Sequence, residues 1–370
     1  MGSVVKMKGS STGYISKSKK ELVFFVLLIL FILCYIYNCP ETLDLGRYYE
    51  DARHWASNDS IWYILNHYYR SEINFIYQTT LVVFERSVLG ASFLTGLVVA
   101  GYYWFIIKNY YINRYVGATP LYLWGLLGFP AFIYTLAISR TACAVVIFYF
   151  GVEYFLKGKR KKAYLLFLAS VFTHVISGMF VGIFLFAILL ERFFSQKKVG
   201  LFNILCFVLP PLAWGVSSVL LPSIMSSNVL YGAFSDYYRF ETYLGSNYTS
   251  FSMNTYSLAD RAMMGSYMLA GYVLLNIPKY YSLKRCLFMV FFVALCFAGG
   301  SNFILFERFI VACSLFYALL FTEALTLAGT GHYPLTESKR TLLNIICVIS
   351  FLSFLLTMFL ARRDFFSFLN

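Results

Sequence analysis

Four basic side chains stand where an apolar chain should tolerate them poorly. Arg140 lies within Ala137-Ile138-Ser139-Arg140-Thr141-Ala142, and His174 within Thr173-His174-Val175-Ile176-Ser177-Gly178. Arg308 follows Glu307 inside Ile304-Leu305-Phe306-Glu307-Arg308-Phe309-Ile310, and Arg261 stands beside Asp260. A cation at mid-bilayer costs on the order of 3 kcal/mol on insertion scales, so those that persist face a cavity or a partner. A guanidinium presents a planar fork of donors, stays charged when desolvated and binds phosphate oxygens in bidentate fashion. An imidazole, with an unperturbed pKa of about 6.5, exchanges a proton near neutrality. Together these types suit a phosphorylated ligand held beside a group able to exchange a proton. Plainer roles stand beside this one. Arg308 can pair with Glu307 or snorkel to an interface, Arg261 at a span end is an ordinary anchor, and His174 can serve as a hydrogen-bonded turn residue. Arg140, with no turn residue near it, has the fewest such explanations.

The elements that position these groups are membrane helices. Of 370 residues, 60% are hydrophobic and 13% charged, against roughly 25% charged in a soluble domain. The apolar residues form long blocks, and at about 20 residues per span there is room for roughly ten. The net charge of +13 fits Lys and Arg gathered in cytoplasmic loops better than a nucleic-acid partner. The eight cysteines lie singly, without a CxxC pair, and read as small core hydrophobes. With four histidines, no HExxH or DxD, no P-loop, no GxGxxG after a strand and no GxSxG, neither a metal site nor a cofactor is expected.

Residues 1–21 carry five lysines ahead of the apolar run Leu22–Tyr37, which reads as a cytoplasmic tail and a first span. Further apolar runs are 88–107, 118–137, 140–156, 163–190, 200–221, 262–278, 286–300, 303–322 and 341–360. The basic stretch Lys157-Gly158-Lys159-Arg160-Lys161-Lys162 and the group Arg192, Lys197 and Lys198 both belong inside. Run 163–190 must therefore leave the cytoplasm and return. It is too short for two full spans, so a helical hairpin turning near Thr173–Gly178 is expected, with His174 toward the outer face. Segment 73–84, polar at Asn74, Gln78, Thr79 and Thr80, reads as an outer amphipathic helix. The expected fold is an all-α polytopic membrane protein: one integral domain over 1–370, about 11 transmembrane helices, and two sizeable outer segments, 38–87 and 222–261.

In this threading 20 of the 30 cations lie inside, all 15 lysines among them, and every outer cation is an arginine. Such a face suits a lipid-linked pyrophosphate; small numbers and a Lys preference at cytoplasmic anchors are the plainer account. The outer segments mix carboxylates, arginines and rings, through Asp44, Arg47 and Tyr48 in the first and Asp236, Tyr237, Arg239, Glu241 and Tyr243 in the second. Aromatic faces and charged side chains of this kind hold sugars, although interfacial belts account for part of the aromatic content.

The stretch Ile138-Ser139-Arg140-Thr141-Ala142-Cys143-Ala144, the basic loop 157–162, and Leu168-Ala169-Ser170-Val171-Phe172-Thr173-His174-Val175-Ile176-Ser177 together resemble the EpsG-like polysaccharide polymerases, relatives of the Wzy-type O-antigen polymerases. Asp44-Leu45-Gly46-Arg47-Tyr48 and Glu72-Ile73-Asn74-Phe75-Ile76-Tyr77 are similar to two further patches of that family. Thr141 stands where Gln is commoner, and Ser177 follows the histidine later than usual. The resemblance covers about residues 40–180. It implies a multi-pass protein of the bacterial inner membrane, GT-C-like and metal-independent, with its site facing the periplasm. The implied reaction polymerises undecaprenyl-pyrophosphate-linked oligosaccharide repeat units, moving the growing chain onto the next lipid-linked unit, with a chain-length regulator as a further partner. On that basis Arg140, Arg308 and Arg261 are expected to hold the pyrophosphate. Asp44, Tyr48, Asp236, Arg239 and Glu241 are expected to bind sugar. His174 is the first choice of base, with Glu72, Asp236 and Glu241 as alternatives. A lipid-linked oligosaccharide flippase is the main competing reading, followed by another GT-C transferase or an O-antigen ligase. A flippase should line a path through the whole membrane with its cations and keep its outer loops short.

Overall fold

The computed structural model describes residues 139–194, 199–225, 283–301, 305–306 and 308–317, with isolated positions at 101, 336–338, 341, 345, 348 and 352. Among the described residues all regular structure is helical. Five helices are followed in chain order: α1 (Ser139–Leu156), α2 (Arg160–Thr173), α3 (Ser177–Phe193), α4 (Val199–Met225) and α5 (Leu283–Ser301). A shorter apolar helix, α6, spans Arg308–Tyr317. The tail 1–21, the segment 38–87, the spans expected within 22–137 and 262–278 apart from residue 101, and most of the span expected over 341–360 lie outside the described residues, so the expected number of crossings is a matter for residues not described. Helix α4 runs four residues into the expected outer segment 222–261, whose remainder is likewise not described.

Helix α1 is largely apolar between its polar residues near either end, as a helix enclosed by others should be, and its residues from Arg140 to Glu153 are buried apart from the partly covered Ile147 and Phe150. It stops at Gly158, whose φ of +74° is the left-handed value that glycine adopts without penalty. The Gly158 N–H donates to the Phe155 carbonyl at 2.9 Å and the Lys159 N–H to the Tyr154 carbonyl at 2.9 Å, the paired bonds of a Schellman stop. The chain reverses there with its lysines in the open.

Helix α2 then runs back along α1. Ala163, Phe167, Ser170 and Thr173 face inward, at the spacing that lines one side of a helix. Tyr164, Leu165 and Leu168 point outward. A Cβ at Gly151 would stand 2.7 Å from the Phe167 ring, so glycine in α1 allows that ring to lie against the backbone. Helix α3 returns after a three-residue turn and buries Ser177, Phe180, Phe184 and Ala187. The hairpin expected over 163–190 is thus present, with its first arm starting at Arg160.

The remaining helices are oriented by their contacts. Lys284, early in α5, meets Glu153, late in α1, at 2.5 Å. The two helices are therefore antiparallel. Helix α4 lies parallel to α5: Arg285 donates to Asn203 at 2.6 Å, and farther along a Cβ at Gly300 would lie 2.6 Å from the Trp214 carbonyl. Helix α6 turns back again, with Phe291 meeting Phe309 and Phe288 meeting Tyr317. Rings fill the centre. Phe148 touches Phe167, Phe180, Phe184 and Phe291, and Tyr149 stacks on Phe316 at 4.9 Å while donating to the Ala312 carbonyl at 2.5 Å.

Two stretches, Gly200–Val219 and Leu283–Gly300, are long and apolar enough to cross a membrane. The first exposes Leu201, Ile204, Phe207, Leu212 and Val219, a surface that suits hydrocarbon rather than water. The second starts earlier than the expected 286–300 and so draws Lys284 and Arg285 into the helix, both buried.

Candidate functional site

Arg140 is the second residue of α1 and His174 closes α2. Their relation follows from the register of the two helices. The Ser170 hydroxyl donates to the Ala144 carbonyl at 2.7 Å, which fixes those two levels together. Arg140 is one turn before Ala144 and His174 about one turn beyond Ser170, so an antiparallel pair brings both residues to the same end. Arg308 begins α6, and its neighbour Phe309 packs on Phe180 at 5.7 Å between ring centres, one turn from Ser177. Arg308 therefore belongs to that end as well. The three side chains are 7%, 5% and 6% exposed respectively.

The turn that holds His174 is built by its own backbone. The His174 N–H donates to the Ser170 carbonyl at 3.0 Å, and the residue is extended, with φ −154° and ψ +124°. The N–H groups of Ser177, Gly178 and Met179 donate to the carbonyls of His174, Val175 and Ile176. The Ile176 N–H donates to Nδ1 of the His174 ring at 3.2 Å. An imidazole nitrogen that accepts a bond has no proton, so in the neutral ring the proton resides on Nε2; the tautomer is assigned from this bond. Nε2 then presents a donor.

Two neighbours complete the site. Thr141 follows Arg140, and Ser177 opens α3 three residues after His174; both are wholly buried. Among the described residues, neither hydroxyl makes a hydrogen bond. The sequence marks them only as members of the two motifs, because nothing in composition separates an orphaned hydroxyl from one bonded to its own helix.

At the opposite end lies a second polar group that the sequence reading passed over. Glu153 and Lys284 form a buried ion pair, and Arg285 bonds Asn203 while lying 5.0 Å from the centre of the Phe202 ring. Its signal was available: Glu153 is the one carboxylate within the apolar run 140–156. Of the other candidates, Glu72, Asp44, Tyr48, Arg261, Asp236, Arg239 and Glu241 lie outside the described residues, as does Glu307. Among the described residues no three His, Cys, Asp or Glu side chains gather as metal ligands.

The arrangement can therefore offer two guanidinium groups, an imidazole N–H and two hydroxyls to an anion at one end of the helix cluster. A family model described as the EpsG family matches residues 21–370, nearly the whole chain. No curated protein and no solved structure matches it.

Proposed function

The chain belongs to the EpsG family, and from that membership we propose that it polymerises oligosaccharide repeat units carried on undecaprenyl pyrophosphate. The growing chain passes to a new lipid-linked unit at the periplasmic face of a bacterial inner membrane. The reaction breaks the bond between the sugar and the pyrophosphate of one unit and forms a glycosidic bond to a hydroxyl of the next. The observation that carries the reading is the burial of Arg140, Arg308 and His174 at one end of four packed helices.

Buried guanidinium groups act in a low-dielectric setting, where fixed charges stabilise a developing phosphate charge more than they would in water. Arg140 and Arg308 are the clamps on the leaving pyrophosphate, with Arg261 as a third, and no metal ion takes part. His174 donates through Nε2–H to the same leaving group. The proton of the attacking hydroxyl then goes to a carboxylate, for which Glu72, Asp236 and Glu241 are the candidates. Asp44, Tyr48, Asp236, Arg239 and Glu241 hold sugars.

The test is the surface glycan of cells carrying Arg140→Ala or Arg140→Lys. The expected result is a glycan capped with single repeat units for the alanine variant and strongly shortened chains for the lysine variant, whose point charge cannot reproduce the bidentate fork. Full-length polymer from both would overturn the reading, and complete absence of surface glycan would favour a flippase.

A further inference from the structure

Buried serine and threonine hydroxyls in the described helices follow a rule, with two exceptions. Ser170 donates to Ala144, Thr173 to Ala169, Ser217 to Trp214 and Ser314 to Ile310, each to a backbone carbonyl. Thr141 and Ser177 are as deeply buried and make no such bond. A polar group taken from water without a partner is destabilising; of these two, Thr141 adjoins Arg140, and Ser177 opens the helix that follows the His174 turn. They are also placed on different helices, at the start of α1 and of α3, so one local distortion does not account for both. Helix N-termini carry partial positive charge, which adds to the cations already there.

We propose that Thr141 and Ser177 are ligand-binding residues, whose hydroxyls donate hydrogen bonds to the pyrophosphate oxygens of the lipid-linked substrate. The assignment rests on the preceding reading that this end of the cluster receives a pyrophosphate. Arg140 and Arg308 neutralise charge, while the two hydroxyls are short neutral donors that fix where the oxygens sit. A hydroxyl rotates to meet an acceptor, so the pair accommodates the leaving group as its charge grows without another buried cation.

The experiment uses the full-length protein in detergent and follows its melting temperature against farnesyl pyrophosphate, with farnesol as the phosphate-free control. Wild type should be stabilised by the pyrophosphate and not by farnesol. Thr141→Val and Ser177→Ala should each bind about ten- to a hundredfold more weakly, as expected for the loss of a bond to a charged acceptor. Thr141→Ser should bind as wild type does. Without ligand, both hydroxyl-deleted variants should melt no lower than wild type, because each loses only an unsatisfied group. Binding equal to wild type by both deleted variants would overturn the inference and leave the polymerase reading standing, and so would a lower melting point without ligand, which would mark the hydroxyls as structural. A wild type that responds no better to the pyrophosphate than to farnesol would overturn the pyrophosphate reading itself, and this inference with it.

Discussion

His174 illustrates how far one hydrogen bond can redirect a residue's role. From residue type alone it is the natural base, and a histidine in an apolar run stands out because placing it there is costly. The bond from the Ile176 N–H to Nδ1 changes the assignment, since the proton of the neutral ring is then on Nε2. That bond depends on how a three-residue turn closes, which residue types do not disclose. A donor role has a distinct mutational pattern. His174→Gln keeps an N–H near the Nε2 position, whereas His174→Ala keeps none. Polymerisation rates should fall by about tenfold or less for the glutamine variant and by about a hundredfold or more for alanine, within the range of single donors and proton-transfer groups. Equal loss in both variants, measured as polymer formed per unit of membrane protein, would return the base role to His174.

At the scale of elements, close approach between helices depends on where glycine stands. Gly300 in α5 meets α4, where an added Cβ would contact the Ser217 hydroxyl and lie 2.6 Å from the Trp214 carbonyl. Gly178 and Gly182 in α3 face open space. Gly300→Ala should therefore destabilise the protein by about 1–3 kcal/mol, the usual penalty of overpacking, and lower its melting temperature. Gly178→Ala should leave it nearly unchanged or slightly raised. A Gly300 variant as stable as the Gly178 variant would show that α4 and α5 separate freely. Helix positions and the α2–α3 hairpin were legible in the sequence because apolar runs and basic breaks fix them. The parallel course of α4 and α5 was not, because it is set by pairs such as Arg285 with Asn203 that are 82 residues apart. The Glu153–Lys284 pair is of the same kind: visible as a lone acid, unassignable until its partner helix is placed.

At the scale of the whole molecule, polarity divides along the helix axes. One end carries the exposed cations of 157–162 and the Glu153–Lys284 pair, and the other carries Arg140, His174 and Arg308. Excess cations on cytoplasmic turns orient membrane proteins, so the proposed function has the basic turn at the inner end and Arg140, His174 and Arg308 toward the outer one. The cations were legible as an asymmetry in the sequence; their depth was not. From Arg160 to His174 the helix rises about 21 Å, while a bilayer's hydrocarbon core is about 30 Å thick. With the basic turn at the inner surface, the hairpin tip stops short of the outer one, and non-helical backbone at such depth is tolerated where protein or a water-filled cavity surrounds it.

If the proposed function holds, the short reach of α2 makes lipid length a control on the reaction. A headgroup arriving from the outer leaflet has to descend to the tip, and each ångström of added hydrocarbon lengthens that descent. Reconstituted in shorter-chain phosphatidylcholine the protein should polymerise faster than in longer-chain lipid, at equal melting temperature in both. A rate indifferent to lipid length would mean that the surrounding bilayer already thins to meet the hairpin.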